Sequence, residues 1–572
     1  MALKDRLALI KSNTYFPKYS KWGFFILVFC CCLIYNYQSI FYLPPQGLHQ
    51  WRQCDCLSIT LNYYQDGNAF LAPSVHNLAA DGTGKTISEF PLFYFVVAQL
   101  WAVFGYHEII YRILNFLIFL CGLFALFKIF ENILKDSILA ISFSLLLFTS
   151  PMLVYYANNF LMNSTALSLA FIALYFFYRF YVESKNKYLY AMAFFFALAG
   201  LLKATSLLSF LAIFGVFIAE ILNVRMLKDR KIFQHPKSEV FPMILVLLIQ
   251  VVWYLYSVNY NAKHNSGIFL IGILPIWDLN KDQIKVVVDS IWDHIHWDYF
   301  RRETQVLFAL MFMFLLARFK KADKLLMVLT TLVVIGVLLF VVLFFQALKD
   351  HDYYALDMLI LIPCIILTFF IFLKNSWHRV YNSLLIRIFI IAFLIHNIDF
   401  ARRRIQDRYD PGTWYNKDGS RNVKTFEGIS EYLRSIGVKK QDRVIVLPDR
   451  SINVSLYLMD QKGWTGYGLS EDNLNPNFSV EKFALCEDDP SAYRLDVLVN
   501  PDQIIARQGF ASAPLGKICR FTSNFGLKIK EQIGMGAKYL LVYDKSIQGN
   551  KHILPFTQNK IGSFKSVDIY KL

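Results

Sequence analysis

The segment Leu48–Asp55 carries two charged side chains directly after the first long apolar stretch of the chain. Arg52 and Asp55 lie three residues apart in it. Ionisable groups at the edge of an apolar region cost free energy, so they usually serve a function there. A partly buried carboxylate with a raised pKa can take a proton from an incoming hydroxyl. Asp55 is therefore predicted to be a general base, with a structural ion pair to Arg52 as the alternative.

A lysine and a glutamate follow in the same polar segment. Lys85 lies in Gly82–Thr86, but Ala79 stands where a phosphate-binding loop needs its first glycine. A P-loop is therefore excluded, whereas Lys85 remains suited to hold a lipid phosphate as a point charge. Glu89 precedes Pro91 and an apolar helix. It is either a second acid of the site or a first-turn residue stabilised by the helix dipole.

The loop His351–Tyr354 is a further candidate. His351 and Asp352 can bind a phosphate or a sugar hydroxyl. Tyr353 and Tyr354 belong either to such a site or to an aromatic belt at the membrane boundary.

Two polar residues elsewhere, Asn163 and Lys203, each allow a functional and a structural interpretation. Asn163 either contributes to the site or caps the helix that starts at Ser164. Lys203, in a short hairpin, either binds a ligand or extends its amine to the membrane surface. His294 and His296 form an HxH pair without a third ligand nearby in sequence, so no resident metal is expected.

The composition indicates that a membrane positions these residues. Of 572 residues, 56% are hydrophobic, and the mean hydropathy is +0.40. This apolar fraction exceeds that of soluble globular proteins. The net charge of +16 fits Lys and Arg collected in cytoplasmic loops, and no nucleic-acid-binding motif accompanies it. We therefore expect membrane lipids, not nucleic acid, as partners.

The distribution of charge predicts the topology. Trp22–Leu43 is too long for a cleavable signal peptide, and the basic residues before it predict a cytoplasmic N-terminus. Phe90–Phe104 is predicted to lie along the outer interface, because a span there would reverse the bias of positive charge. About eleven spans are predicted by window length and loop charge. Besides Trp22–Leu43 they are Ile109–Phe130, Ile138–Tyr156, Ser164–Val182, Tyr188–Leu202, Thr205–Leu222, Phe241–Val258, Val306–Leu316, Leu325–Phe345, Tyr354–Leu373 and Leu384–Phe400.

Polar and turn residues increase after Tyr409, which predicts a second domain. Phe426–Ile436 is predicted to be a helix, and Arg443–Pro448 a buried strand. Ile529–Gly536 predicts a helix that leads into the strand Ala537–Tyr543. Val567–Tyr570 is predicted to be the closing strand. Arg402–Arg404 indicate either an anionic partner, such as a lipid phosphate, or a miscounted span. Cys486 and Cys519 could form a disulfide if this domain lies in an oxidising compartment.

The fold class is accordingly an α-helical polytopic membrane protein with a C-terminal extracytoplasmic α/β domain. Residues 1–400 are predicted to form the membrane domain, with 44–107 as its first outer loop, and residues 401–572 the α/β domain.

The chain resembles the multispanning GT-C type glycosyltransferases that use lipid-phosphate sugars. This group includes protein O-mannosyltransferases, of glycosyltransferase family 39, and bacterial aminoarabinose transferases. The resemblance covers roughly the first 400 residues, with short motifs in order. They are Asp55 in the first outer loop, Lys85 followed by Glu89–Leu92, Tyr111–Leu114, Ser150–Pro151 followed by Tyr155–Tyr156 and Asn163, Gly200–Lys203, and His351–Tyr354 followed by Pro363.

The resemblance implies an inverting transfer of a sugar from a polyprenyl-phosphate carrier at the outer face of a membrane, which we expect to be a bacterial inner membrane. Asp55 would be the base, and no cofactor is implied. The donor phosphate would be held by Lys85, Arg52, Lys203 and His351. The substrates would be contacted by His49, Glu89, Asn163, Asp352, Tyr353 and Tyr354.

Two positions depart from the pattern of the family. The loop acid Asp55 is a lone Asp where the family has an acidic pair, and Asn163 stands where many relatives carry Asp. A transporter and a non-catalytic assembly protein of the cell envelope are the competing interpretations. A transporter usually shows paired internal halves and polar residues within its spans, in contrast to the one-sided charge of this chain. The sugar stays open, as does the acceptor, whether lipid, glycan or protein.

Overall fold

The computed structural model describes residues 15–224, 231–266, 268–269, 272–467, 486–488, 517–519, 525–544, 547 and 553–572. The chain forms two compact units. The first unit comprises Met1–Leu43, Tyr111–Val252 and Ile273–Arg408. The second unit comprises Pro44–Ile110, Trp253–Gly272 and Tyr409–Leu572.

Apolar helices of membrane-spanning length make the chain an integral membrane protein. The described residues contain eight such helices, or nine if one bent pair counts as a span. The eight are Pro17–Ile34, Glu108–Leu134, Asn163–Glu183, Ala204–Ile221, Pro236–Lys263, Lys324–Leu343, Asp352–Ser376 and Leu384–Tyr409. Two predicted spans correspond to shorter helices, Asn186–Leu202 with 17 residues and Arg302–Ala317 with 16 residues. The count of about eleven therefore stays a prediction.

Shorter helices connect or extend these spans. In the first unit they are Tyr37–Ile40, Ser137–Leu147, Pro151–Ala157, Ile276–Asp278, Lys281–Ser290, Ile291–Ile295, His296–Tyr299, Phe319–Lys321, Ala347–Asp350 and His378–Tyr381. In the second unit the helices are Gln50–Asp66, Leu92–Phe104, Lys417–Phe426, Ile429–Ser435, Val454–Leu458, Phe525–Gly534 and Leu554–Phe556.

One predicted span, Ile138–Tyr156, is a broken helix. Ser137–Leu147 and Pro151–Ala157 are inclined by 79°. The break has a local cause, since the Ser150 hydroxyl accepts from the backbone N–H of Leu153 and Pro151 opens the new helix.

Two tyrosines from the N-terminal segment contact the broken helix. The Tyr35 hydroxyl donates to the carbonyl of Phe148 at 2.8 Å. The Tyr37 hydroxyl donates to the carbonyl of Val154. Backbone carbonyls that a helix break releases inside a bundle need such donors, because no water is available there.

A five-stranded sheet forms the centre of the second unit. Its strands are β1 (Arg443–Leu447), β2 (Gly463–Thr465), β5 (Ala537–Val542), β6 (Lys560–Phe564) and β7 (Val567–Lys571), in the order β2-β1-β5-β7-β6. β1 runs parallel to β2 and β5, and β7 runs antiparallel to β5 and β6. The strands β3 (Cys486–Asp488) and β4 (Lys517–Cys519) form a separate antiparallel pair in which Cys486 lies opposite Cys519.

Both faces of the sheet are buried. Ile445 and Leu447 of β1 pack with Ile529 of the helix Phe525–Gly534, whereas Val444 and Val446 pack against the helices on the other face. This alternation follows from the two-residue period of a strand. The predicted α/β domain is therefore confirmed, with its strands at 443, 537 and 567.

The helix predicted at Phe426–Ile436 is wrong in its extent. The structure has two helices, Lys417–Phe426 and Ile429–Ser435. Gly428 separates them with φ of 80°, a left-handed conformation that glycine adopts at low cost.

The first polar loop packs on the C-terminal part of the chain within the second unit. The backbone N–H of Leu78 donates to the carbonyl of Gly463 in β2 at 2.8 Å. The N–H of Gly47 donates to the Asn416 side chain at 2.7 Å. Backbone pairing of this kind positions the loop beside the sheet.

Candidate active site

The helix Gln50–Asp66 carries the predicted base. It begins after His49, at φ of 58°, and ends at Gly67, at φ of 64°. The spacing of three residues places Arg52 and Asp55 on neighbouring positions of the helix surface. Asp55 is only 3% exposed.

Asp55 has one amide and one cationic neighbour. The Asn453 side-chain amide donates to the Asp55 carboxylate at 2.7 Å. Arg52 Nη1 lies 3.8 Å from Asp55 Oδ2. Burial raises the pKa of Asp55 to about 6, although Arg52 and the Asn453 hydrogen bond act in the opposite direction. Asp55 is thus a buried carboxylate that titrates near neutral pH, as a general base requires.

Arg52 contacts a second acid and an aromatic ring. Its guanidinium donates to Glu89 and lies 4.7 Å from the centre of the Phe269 ring. Arg52 Nη1 is buried and makes no hydrogen bond within the described part of the chain. This nitrogen faces the carboxylate of Asp55 and retains the capacity to bind a further anionic or polar group.

Glu89 differs from Asp55 in the direction in which its pKa is shifted. It accepts hydrogen bonds from Arg52, Ser88 and, at 2.9 Å, from the Tyr94 hydroxyl. Burial alone would raise its pKa, but these partners hold the pKa of Glu89 below its ordinary value. Because the helix begins only at Leu92, Glu89 is not a first-turn residue.

The other two predicted residues of this unit are Lys85 and His49. Lys85 is exposed, and no hydrogen bond or ion pair of the described residues joins its amine to Arg52, Asp55 or Glu89. His49 is half-buried and precedes the helix that carries Asp55. Lys85 therefore stays a predicted phosphate ligand on sequence grounds alone.

A second cluster lies in the first unit, around the predicted tyrosine loop. The Lys203 amine stands 3.9 Å from the centre of the Tyr354 ring and 5.2 Å from that of Tyr353. The His351 ring lies 5.3 Å from the Tyr353 ring. The Asn163 amide donates to the Tyr353 carbonyl at 3.3 Å. These contacts join Lys203 and Asn163 to the tyrosine loop, and the binding roles of these residues stay a prediction.

Asp352 has a different surrounding from its neighbours in the loop. It accepts from the Tyr156 hydroxyl and, at 2.6 Å, from Arg408. Arg408 is fully buried and also donates to Asp298 at 2.9 Å. Asp352 thus belongs to a buried ionic network, which is sufficient to explain an acid at this position.

The arginines that follow the last predicted span have protein partners. Arg404 donates to Asp298 at 2.6 Å. Arg402 and Arg403 pair with Asp399 at 2.9 Å and 3.0 Å. The anionic partner expected for Arg402–Arg404 is therefore supplied by the chain itself.

Several residues that contact the two clusters were not predicted from the sequence. Asn453 lies in a loop without a recognisable motif, and the same is true of Asp449, whose carboxylate accepts from the backbone N–H groups of Ser451 and Ser455. Burial raises the pKa of Asp449. Arg408 could have been suspected, since it continues a run of arginines.

A cavity of about 390 Å³ lies elsewhere in the second unit. It does not include Asp55, and it is lined by Pro411, Lys417, Ser420, Arg421, Lys424, Thr425, Lys565 and Ser566. Within the described ranges, no group of three His, Cys, Asp or Glu side chains could hold a metal ion.

Known proteins match this chain in one segment and in fold. The family model of dolichyl-phosphate-mannose-protein mannosyltransferases matches residues 88–256. The structure of ArnT from Cupriavidus metallidurans in the apo state is similar over 96% of this chain and 98% of ArnT, with a TM-score of 0.57 and 11% identity. ArnT bound to undecaprenyl phosphate gives a TM-score of 0.56 and 9% identity over the same shares of the two chains. No curated protein sequence matches.

The two kinds of match agree with each other. The family segment contains Glu89 and the motifs through Lys203, and the structural match extends over nearly the whole chain. The resemblance to the GT-C type glycosyltransferases that the sequence motifs predicted is therefore confirmed, in a mannosyltransferase family segment and in the fold of the chain.

Proposed function

We propose that this chain is an inverting glycosyltransferase that moves a sugar from a polyprenyl-phosphate carrier to an acceptor hydroxyl, with Asp55 as general base. The observation that carries the proposal is the buried Asp55 carboxylate beside Arg52, whose Nη1 nitrogen has no hydrogen bond in the described part of the chain. The matched family segment and the fold shared with an ArnT that binds undecaprenyl phosphate support the donor class.

The proposed reaction is a single displacement. The acceptor oxygen attacks the anomeric carbon while Asp55 takes the hydroxyl proton. The bond between that carbon and the phosphate oxygen breaks, and its electron pair leaves with the polyprenyl phosphate. Attack from the side opposite the leaving group inverts the anomeric configuration. The phosphate is a good leaving group and needs charge neutralisation more than protonation.

Cations of the chain are proposed to neutralise that phosphate. Arg52 is suited to this because a guanidinium can bind a phosphate and still keep a carboxylate partner such as Glu89. Lys203, Lys85 and His351 are proposed to bind phosphate as well. The residues proposed to contact the substrates are His49, Glu89, Asn163, Asp352, Tyr353 and Tyr354.

We also propose that the reaction takes place at the outer face of a bacterial inner membrane, with a cytoplasmic N-terminus and an extracytoplasmic C-terminal domain. Cysteine labelling at Lys85→Cys and His351→Cys tests the sidedness. Both positions should react with an impermeant reagent from outside, and reaction only from the cytoplasm would contradict the topology.

Lipid mass spectrometry of cells with and without the gene tests the activity. Cells that lack the chain should accumulate one polyprenyl-phosphate sugar. Cells that carry Asp55→Asn should accumulate the same lipid, whereas Asp418→Asn, a change at a carboxylate with 76% side-chain exposure, should leave the lipid at its native level. Identical lipid profiles in all four strains would refute the proposal.

A further inference from the structure

The contact between Asn453 and Asp55 joins positions that are far apart in sequence. Asn453 is fully buried and follows β1 in a loop of the second unit. Its amide donates to Asp55 Oδ1 at 2.7 Å. A fully buried amide beside a buried carboxylate is an expensive arrangement unless each polar atom is satisfied.

The orientation of the Asn453 amide is fixed by a second hydrogen bond. Its Oδ1 atom accepts from the backbone N–H of Asn77 at 2.8 Å. A backbone N–H can only donate, so the oxygen of the Asn453 amide must face Asn77 and the NH₂ group must face Asp55. Asn453 can therefore stabilise the ionised form of Asp55, and it has no acceptor to offer to the protonated form.

Asn77 is itself held in place. Its side-chain nitrogen donates to the Ile452 carbonyl at 3.0 Å and lies 3.3 Å from the Thr465 hydroxyl. Its side-chain oxygen accepts from the N–H of Ala79 at 3.0 Å. Each polar atom of the Asn77 side chain is thus engaged, and the first polar loop and β2 together hold the Asn453 amide.

The loop that carries Asn453 is stiffened at its other end. Asp449 accepts from the N–H of Ser451 at 2.8 Å and from the N–H of Ser455 at 2.9 Å. The Ser451 hydroxyl accepts in turn from the N–H of Val454 at 2.9 Å. These local bonds restrict the backbone on both sides of Asn453, which limits the entropy lost when its side chain is ordered.

We propose that Asn453 is a positioning residue that fixes Oδ1 of Asp55, so that Oδ2, which lies 3.8 Å from Arg52 Nη1, receives the proton of the acceptor. The proposal rests on the proposed function, because it assumes that Asp55 is the base. It gives the C-terminal domain, in which no motif was recognised, a direct part in the proposed reaction.

The charged groups around Asp55 determine what the removal of Asn453 should do. Arg52 favours the ionised carboxylate, whereas Glu89 and Asp449 oppose it. Without the Asn453 donor, Arg52 is the one of these groups that still favours the ionised Asp55 carboxylate. The pKa of Asp55 should then rise further above its value of about 6.

Three variants test the proposal in the full-length chain. Asn453→Ala removes the donor. Asn453→Asp keeps the shape and the acceptor for Asn77 but places a second carboxylate beside Asp55. Ser455→Ala is the matched control, since Ser455 is fully buried in the adjoining helix Val454–Leu458 and the change keeps the bond from its backbone N–H to Asp449.

The readout is the pH profile of kcat/KM. In Asn453→Ala the acidic limb should move to higher pH by about one unit, which by itself lowers kcat/KM at pH 7 about twofold. Loss of the fixed carboxylate orientation should lower the plateau of kcat/KM by about tenfold, with little change in KM. Asn453→Asp should move the limb further, because two close carboxylates cannot both ionise readily. Ser455→Ala should keep the native profile.

The outcomes distinguish this proposal from the proposed function. If Asp55→Asn is inactive and the two Asn453 variants keep the native pH profile, Asn453 does not position the base. If Asp55→Asn itself remains active, the general-base assignment is wrong and the role of Asn453 is lost with it. Asn453→Asp is isosteric, so it remains informative if Asn453→Ala does not fold.

Discussion

Arg52 lies between two carboxylates whose pKa values are shifted in opposite directions. Its guanidinium pairs with Glu89 and stands 3.8 Å from Asp55. The pKa of Glu89 lies below its ordinary value, and the pKa of Asp55 is raised to about 6. Carboxylates whose environments separate their pKa values in this way are suited to different roles. The guanidinium and the other donors favour the ionised form of Glu89, whereas burial favours the protonated form of Asp55, and this difference fits the proton transfer proposed for Asp55.

The first prediction concerns loss of the base. Asp55→Asn keeps the size of the side chain and an oxygen that can accept from Asn453. We expect sugar transfer to fall by a factor of 10² to 10⁴, the range typical of general-base removal. Turnover of the donor by the purified variant is the measurement, and Asp418→Asn is the control. Residual activity within a few-fold of native would exclude Asp55 as the base.

The second prediction concerns pH. A base with a pKa of about 6 loses activity as the pH falls through that value. The acidic limb of the kcat/KM profile should therefore have its midpoint near pH 6 in the native chain. A midpoint near pH 4, the ordinary value for an Asp, would show that the base is not buried during the reaction.

The third prediction follows from the same pKa through stability. The folded-state pKa of Asp55 lies above its ordinary value of 3.8, so the folded chain binds the proton more tightly than the unfolded chain. Stability from Asp55 is present below about pH 4 and is lost as the pH rises through about 6. The charged form then costs roughly 3 kcal/mol.

Thermal unfolding of the detergent-solubilised chain checks the sign. Asp55→Asn should match the native melting temperature at pH 4 and exceed it at pH 8. A variant that melts lower than the native chain at pH 8 would contradict a raised pKa.

The fourth prediction concerns Lys203. Tyr354→Leu removes the ring that lies 3.9 Å from the Lys203 amine, whereas Tyr354→Phe keeps it. If Lys203 binds the donor phosphate, Lys203→Ala should raise the donor KM about tenfold, and Tyr354→Leu should raise it less because the amine stays in the chain and loses the cation–π contact with this ring. Tyr354→Phe should stay near native.

Lys185→Ala is the control for this series, because the Lys185 side chain is 59% exposed and its amine pairs with Glu183 at 2.9 Å. Steady-state kinetics with varied donor separate KM from kcat. An unchanged donor KM in Lys203→Ala would leave Lys203 with a structural role.

The fifth prediction concerns Arg408. This side chain is fully buried and donates to both Asp298 and Asp352. Its replacement by methionine removes the cation that pairs with the buried Asp352, whereas Asp298 keeps Arg404, and the change should destabilise the fold by about 3–5 kcal/mol. Arg403→Met, at a side chain with 56% exposure, should change stability by less than about 1 kcal/mol. Equal thermal stability of the two variants would contradict the importance of the network.

Local sequence patterns indicated single residues of each cluster, but not the distant residues that hydrogen-bond or pair with them. The three-residue spacing of Arg52 and Asp55 is a property of one helix, so it was visible in the sequence. The hydrogen bond from Asn453 depends on how the first polar loop packs on the strand β2, and a single sequence does not contain that pairing. The same reason applies to Asp298, which supplies the partner of Arg404.

The ends of several helices and strands are set by single residues, and the hydrophobic pattern of the sequence does not take these residues into account. The strands Arg443–Leu447 and Ala537–Val542 were predicted because short apolar runs with branched residues favour buried strands. The helix predicted at Phe426–Ile436 was too long because Gly428 interrupts it. Leu384–Tyr409 continues nine residues beyond the predicted end at Phe400, since its polar last turns satisfy their charges within the chain.

The tyrosines that contact the broken helix give the N-terminal segment a role other than targeting. A signal anchor can in general be exchanged for any apolar sequence of similar length. Here Tyr35 and Tyr37 supply hydroxyl donors to Phe148 and Val154, so a generic replacement would insert the chain correctly and yet leave two interior carbonyls unsatisfied. The sequence of the first hydrophobic segment is therefore constrained by the hydrogen bonds that it makes to the broken helix, and not only by the apolar length needed for membrane insertion.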